Sequence, residues 1–583
     1  MAEQIISPGV FANENDQSLY TQGPVVVGAA LVGPTVKGTP MVPTVVTSYS
    51  DYLAKFGDIF KTGSNYQEYF TSITAREYFS GGGQSLLVTR IINGSGYDTF
   101  ASASVTSSNS TSSFTLETLA WGSTMNNGTT TLAGSSGSLT NGTADNVRWE
   151  ISTANTSSGQ FTLLIRRGDD NDNQKNILET WSNLSLDPQQ PNYIARVLGD
   201  QKIVYNSTQG ILQYQGNFPN ISQYVRVKPN SVYNLVDSID NTGAFKSGSY
   251  GVFIPSVGSG SIYGSFNGGL AATSATSSFF ENVTSTVGEC QGFIADNYTA
   301  SFTMLTNKDE FDFNLLLVPG VTLGTGPLSS IADNAIALCE ARTDSMAIID
   351  AVVCSAASGS TAQTVTSAVT AAAASTSNYA ATYYPWVQVY SSNLGKAVWV
   401  PPSVVMAGVY AFNDQVAAEW FAPAGLNRGG IGSVIRAERK LSQSDRDTLY
   451  AANVNPLATF PGNGVVAFGQ KTLQKRPTSL DRVNVRRLLI SLKRFLGDVG
   501  RQLIFEQNTA TTRNRFLAVA EPYMESIVQR QGLYSYKIVM DDSNNTPDVI
   551  DRNQLVGQIF VQPTKTAEFI ILNFTVTPTG ATF

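Results

Sequence analysis

Residues 314–319 (NLLLVP) and 345–353 (SMAIIDAVV) are short apolar runs, and between them residues 330–342 (SIADNAIALCEAR) carry apolar side chains at helical steps. Runs this short, apolar throughout and bounded by turn residues, read as strands buried on both faces. Strand, helix, strand at this spacing predicts a parallel or mixed sheet covered by helices. The same texture occupies the start of the chain. Residues 25–28 (VVVG) have a buried-strand pattern, 33–40 (GPTVKGTP) read as a loop, 50–56 as a short helix, 66–79 as a longer helix and 85–92 (SLLVTRII) as a strand. The triplet Gly81, Gly82 and Gly83 marks a turn with unusual backbone freedom.

Further on, residues 480–496 place Val485, Leu488, Leu489, Leu492, Phe495 and Leu496 at three- and four-residue steps, behind a capping-box pair of Thr478 and Asp481. A second helix is expected near 515–529, a turn at 541–547 (DDSNNTP), and strands from Gln558 onward. Between about 96 and 301 the texture changes to Ser, Thr, Asn and Gly with short alternating runs, among them Val147, Trp149, Ile151 and Phe161 to Ile165. That segment predicts a β-rich insertion with polar loops. Its Asn-x-Ser/Thr matches at Asn127, Asn141 and Asn206 follow from composition alone.

The fold expectation is therefore α/β (α+β) and multidomain: a mixed-sheet core flanked by helices, a β-rich inserted region, and extended N- and C-terminal arms. The boundaries read as an N-terminal arm over 1–22, a first core part over 23–95, an outward-facing insertion over 96–301, a second core part over 302–565 and a C-terminal arm strand over 566–583.

Composition excludes several function classes. Charged residues are 14% of the 583, against about 25% in a typical domain. A net charge of -7 and a pI near 5.0 argue against nucleic-acid binding driven by an overall positive field. There is no histidine, which removes the usual general base, the His-containing triads and His-ligated zinc together. Cys290, Cys339 and Cys354 are far apart and set among apolar or small residues, as reduced core cysteines are. The N-terminus lacks the pattern of a secretory signal and no apolar run reaches the ~18 residues of a membrane span, so synthesis and assembly in a cytoplasm are expected.

The last fifteen residues, FIILNFTVTPTGATF, alternate like a strand and carry no charged side chain. Ile570, Leu572, Phe574 and Val576 fall on one face and Phe569, Ile571, Asn573 and Thr575 on the other. A free strand of this kind is an aggregation hazard unless a neighbouring copy takes it into a sheet. That points to an assembly protein.

Several blocks carry a family resemblance. SPGV (7–10), GPTVKGTPMVPTVVTSYSDYLAKFGD (33–58), WFAPAGLNRGG (420–430), NPLATFPGNGVVAFGQKTL (455–473), RVNVRRLLISLKRFL (482–496), SNNTPDVID (543–551) and PTKTAEFIILNFTVTPTG (563–580) occur in order. They resemble the contractile tail sheath proteins of bacteriophages over residues 1–95 and 305–583. The resemblance implies a subunit stacked as hexameric rings in a helical polymer around a tail tube protein, bounded by baseplate and tail terminator proteins. It implies contraction that drives the tube through the host envelope, a place in the virion tail, and no nucleic acid, membrane insertion or cofactor. It also implies arms that join sheets in adjacent subunits, with Ile5, Ile6, Val10 and Phe11 as N-terminal anchors and Phe569, Ile570, Leu572, Phe574 and Val576 as C-terminal ones. Linkers near Gln22 to Pro24 and Gln562 to Pro563 would absorb the movement.

The 480–496 helix also carries Arg482, Arg486, Arg487, Lys493 and Arg494. These read equally well as a solvated basic face or as a contact, through Arg486, Lys493 and Arg494, with an acidic tube or the next subunit. No catalytic, cofactor or metal site emerges, and an enzyme is not expected. Asp169, Asn171 and Asn173 imitate a calcium loop, but Gln174 and Thr180 stand where glycine and glutamate are needed. The glycine clusters lack a phosphate-loop lysine, Asp541 and Asp542 sit in a turn, and Tyr383, Tyr384, Pro385 and Trp386 read as packing. The rival readings are a headless contractile injection particle, a glycan-binding adhesin suggested by the polar middle, and a glycan hydrolase, for which no carboxylate pair can be placed.

Overall fold

The computed structural model describes residues 28–62, 65–91, 100–128, 132–133, 136–206, 209–269, 295–324, 327–354 and 364–571. Eight strands form one sheet in the order Thr44–Val46, Leu86–Ile91, Ala29–Pro34, Leu315–Thr322, Met346–Asp350, Ala380–Tyr384, Asn455–Phe460 and Gly464–Ala467. The inner six run parallel, and the two outermost strands are antiparallel to their neighbours. Every residue of Ala29–Pro34, Leu86–Ile91, Leu315–Thr322 and Met346–Asp350 is buried, which is why these segments are apolar without alternation. Ala29–Pro34 pairs with both Leu86–Ile91 and Leu315–Thr322, so stretches on either side of the β-rich segment share one sheet.

Two helices cross beside this sheet at unusually close range. A Cβ at Gly81 would lie 2.3 Å from the Gly408 carbonyl oxygen, and one at Gly408 would lie 2.7 Å from that of Glu77. Gly81 has an ordinary φ of -74°, so its role is close approach between Phe70–Ser80 and Pro402–Val416; the turn itself uses Gly82 at φ +95°.

Residues 101–266 build a second hydrophobic cluster around Phe114, Trp149, Ile151, Phe161, Leu163 and Val225. It is lined by one three-stranded sheet of Phe100–Thr106, Ser112–Trp121 and Val225–Val227, and another of Val147–Asn155, Gln160–Arg167 and Ile177–Ser185. The calcium-like loop is a polar turn closed by arginines. Asp170 accepts from Arg166 Nε at 2.7 Å and Nη2 at 2.9 Å and from Arg148 Nη1 at 3.3 Å, and no metal-ligand cluster exists among the described residues.

Several boundaries differ from the sequence reading. Residues 65–68 are a strand, paired with Ile59–Thr62, and the helix starts at Phe70. Glu68 turns inward there to accept from Ser391 Oγ at 2.5 Å and Arg76 at 3.4 Å, a tertiary contact invisible to local periodicity. Gly33 and Pro34 complete a strand rather than open a loop. Val25 to Val27 lie outside the described residues. Thr478 caps a single 3-10 turn, Ser479–Asp481, and the long helix is Val483–Arg501 with no side-chain cap. The next helix begins earlier than expected, at Ala510, because Thr509 accepts from the Thr512 amide. Cys339 and Cys354 are buried thiols, and burial pushes Cys339 up to about 12. Cys290 lies outside the described residues. Tyr383, Tyr384 and Trp386 are buried, with Tyr383 bonded to Tyr410 at 2.9 Å and Trp386 Nε1 donating to the Val352 carbonyl at 2.7 Å.

Asp350 ends a central strand, fully buried, accepting from the Ser403 amide at 2.9 Å, Ser403 Oγ at 2.7 Å and the Gly320 amide at 3.0 Å. It thereby satisfies an amide at the start of helix Pro402–Val416. Burial outweighs these bonds and pushes its carboxyl up to about 6. Its proton linkage therefore stabilises the fold below the ordinary carboxylate range, and that contribution is lost as pH rises through about 6. Asp350→Ala leaves two amides unsatisfied and is expected to cost about 2–4 kcal/mol, measured as a lowered denaturant midpoint. An unchanged midpoint would contradict this role.

Candidate assembly surface

Val485, Leu488 and Leu492 lie on one stripe of helix Val483–Arg501, and that stripe is buried. Leu488 and Leu492 pack with Trp420, Met524, Ile527 and Leu533 in a core joining this helix, helix Ala510–Gln529 and a hairpin of Leu533–Val539 with Gln558–Pro563. The hairpin is a two-stranded sheet, and among the described residues neither outer edge pairs with a further strand. Leu533, Tyr536, Ile538 and Val561 face the core cluster, whereas Tyr534 and Phe560 are 65% and 57% exposed. Open edges bearing exposed aromatics suit strand addition.

The chain leaves this hairpin under restraint. The Thr564 amide donates to the Gly532 carbonyl at 3.2 Å. Gln470 Nε2 donates to Thr566 Oγ1 at 2.6 Å and to Glu568 Oε1 at 3.1 Å. Arg482 grips Glu568 with both ends, Nε to Oε1 at 2.7 Å and Nη2 to Oε2 at 3.0 Å, and the Tyr450 hydroxyl adds a bond to Oε2 at 2.8 Å. Three separate elements thus converge on one carboxylate. Burial alone would push Glu568 up, but the bonds from Arg482, Gln470 and Tyr450 together hold it below its ordinary value. Immediately beyond, Phe569, Ile570 and Ile571 are 79%, 78% and 83% exposed and belong to no strand.

The boundary read at 566 therefore falls inside a held segment, and among the described residues the exposed stretch begins at Phe569. Gln562 and Pro563 are not a loose linker either, because both are registered in the hairpin opposite Ser535 and Leu533. The anchor candidates Leu572, Phe574 and Val576, and Ile5, Ile6, Val10 and Phe11 of the N-terminal arm, lie outside the described residues. Glu568→Gln keeps the shape and removes the charge. It should accelerate amide exchange at 566–571 while costing about 1–2 kcal/mol overall. The depressed carboxyl makes the clamp's contribution present above the ordinary carboxylate range and lost as pH falls through its folded value.

The basic helix is not a solvated face. Arg486 is 3% exposed, with its guanidinium 4.1 Å over the Tyr379 ring, which removes it as an external contact of the folded subunit. Arg487 is buried against Asp414. Arg494 pairs with Asp312, and Lys493 is the exposed member of the three contact candidates. The sequence reading missed Glu568, although a lone acid just before an uncharged, apolar tail was a usable signal.

Residues 292–473 match the phage tail sheath protein central domain, and residues 475–577 match the phage tail sheath C-terminal domain. The tail sheath proteins of Vibrio phage KVP40 and of Enterobacteria phage T4 are each 41% identical over 185 residues, 32% of this chain. Those matches span 28% of each relative's length. The crystal structure of the sheath tail protein from Listeria innocua shares the fold, with a TM-score of 0.51 at 9% identity over 93% of this chain and 96% of that one. Residues 292–577 thus match, adjacent and in order, the central and C-terminal domains of phage tail sheath proteins.

Proposed function

We propose that this chain is the structural subunit of a contractile tail sheath. It polymerises as stacked hexameric rings in a helix around a tail tube, and contracts to drive that tube through the host envelope. The observation that carries the reading is the match to the two sheath domains combined with a two-edged hairpin and a stretch, Phe569 to Ile571, that becomes exposed directly after a fixed anchor. In this reading the tails and N-terminal arms of neighbours add strands to the hairpin and tie successive rings together. A contact that does not close on itself generates a helical polymer. Contraction is rigid-body rearrangement of subunits from a kinetically trapped lattice, with the arm pivoting beyond Glu568. Its partners are further copies, the tail tube protein, and baseplate and tail terminator proteins; its place is the virion tail, after assembly in the host cytoplasm. No helix among the described residues is long and apolar enough to cross a membrane. The insertion over 96–301 faces outward, and a variant lacking it is expected to retain contraction.

Negative-stain electron microscopy of the protein alone and with its cognate tube tests this. Hollow striated tubes in either preparation support the sheath reading. Dispersed particles in both, with the protein folded, would overturn it.

A further inference from the structure

Between helices Val483–Arg501 and Ala510–Gln529 the chain makes a tight turn that pushes two apolar residues into solvent. Phe505 is fully exposed and Ile504 is 59% exposed. The turn is ordered: the Leu503 amide bonds to the Gly500 carbonyl, Ile504 to Arg501, and Glu506 to Leu503. Its base is held where Phe495 stacks on Tyr523 at 3.6 Å and where Asn508 Nδ2 donates to the Gln554 carbonyl at 2.8 Å. Phe505 also has φ +71°, a backbone region that bulky side chains avoid and that Gly or Asn would occupy without strain. Exposure and strain both count against phenylalanine here, so a rigid aromatic knob at this place points to a partner.

The same chain carries a matching socket. A groove of 930 Å³ is lined by Trp420, Phe421, Tyr450, Phe468 and the guanidinium groups of Arg428 and Arg446. Arg428 lies 5.1 Å from the Phe421 ring centre and Arg446 lies 5.4 Å from that of Phe460, and the hydrogen bonds they make go to the neutral carbonyls of Ala422 and Leu441. Lys565 adds a third cation, while of the groove's two carboxylates Glu568 is already neutralised by Arg482. The wall is therefore aromatic and positive. The knob is aromatic and followed by a half-exposed acid, Glu506, whose long 3.9 Å contact with Arg515 of its own chain leaves it open to solvent.

We infer that the Ile504, Phe505, Glu506 turn of one subunit docks into the Phe468 and Arg446 groove of another. Being fully exposed, Phe505 does not fill the groove of its own chain. Knob and socket lie on different parts of one surface, so used head to tail the contact builds a ring or a helix according to its rotation. It rests on the sheath reading, and supplies a body-to-body contact separate from the arms.

Phe505→Gly removes the knob and suits the backbone, so the monomer's Tm should hold or rise. The concentration needed for tubes should increase roughly tenfold, as for loss of a central interface aromatic. In a second measurement a benzophenone amino acid replaces Phe505 in sheath assembled from isotopically mixed subunits, and ultraviolet light should link it to peptides within 420–470 of a different copy. Tubes from the glycine variant at the wild-type concentration, or links to the tail tube protein or to the hairpin, would overturn the inference. Failure of the wild-type protein to polymerise under any condition would overturn the sheath reading with it.

Discussion

Removal of residues 569–583 is expected to abolish tube formation while leaving the monomer folded with an unchanged Tm. The monomer should not notice the loss, because Phe569, Ile570 and Ile571 already sit in solvent and, among the described residues, the last one held by the body is Glu568. The polymer should notice it strongly. A tail strand contributing about six ladder hydrogen bonds at about 1 kcal/mol each carries about 6 kcal/mol, or roughly four orders of magnitude in association. A longer truncation from residue 566 separates anchor from arm. It also removes the carboxylate that satisfies Arg482, Tyr450 and Gln470, so this variant alone should lose monomer stability. Sedimentation velocity with thermal melts on both truncations reads the two effects independently. Tubes of normal length from the shorter truncation would show that the arm is not what ties subunits together.

The parts of this architecture that could be read from sequence are those written in local periodicity. Residues 315–318 and 346–349 are apolar at every position because both faces of their strands are covered, and the amphipathic stripe of 485–496 faces a real core. What escaped was set by tertiary partners. Charge on a helix face looks solvated in a sequence, yet Arg486 and Arg487 are buried because Tyr379 and Asp414, distant in sequence, receive them. Glu68 and Tyr66 fitted a helix until the neighbouring strand and Ser391 claimed that segment. The tail was legible as an unsatisfied strand, but the point at which it departs was not. That point depends on Gln470, Arg482 and Tyr450 meeting one carboxylate, and none of them is near residue 568 in sequence.

Arg487→Met should be among the most damaging single substitutions in the described structure, costing about 3–5 kcal/mol. The guanidinium is 2% exposed and bonds both oxygens of Asp414, Nη1 to Oδ1 at 2.7 Å and Nη2 to Oδ2 at 2.6 Å, while lying 5.1 Å from the Tyr410 ring centre. Burial alone would disfavour its charge, but Asp414 and the neighbouring Glu419 outweigh burial and keep it protonated. Glu419 is itself pushed up by burial and drawn back chiefly by Arg487. Methionine would fill much of the volume and leave two acids without their cation. The defect should therefore be largest at neutral pH and should shrink in mild acid as Glu419, already pushed up by burial, takes up a proton. Arg487→Lys should fall between, since an ammonium cannot make the two-pronged bond. Adding Asp414→Asn to Arg487→Met should recover part of the loss, because the uncompensated charge goes with it. The pair also spans the two sheath domains, with Asp414 in the central one and Arg487 in the C-terminal one. On the proposed reading the arms pull on the C-terminal domain, and a variant that still folds at low temperature is expected to yield tubes that fail to contract. Wild-type denaturant midpoints for Arg487→Met at pH 7 would show that hydrophobic packing, not this ion pair, holds the two domains together.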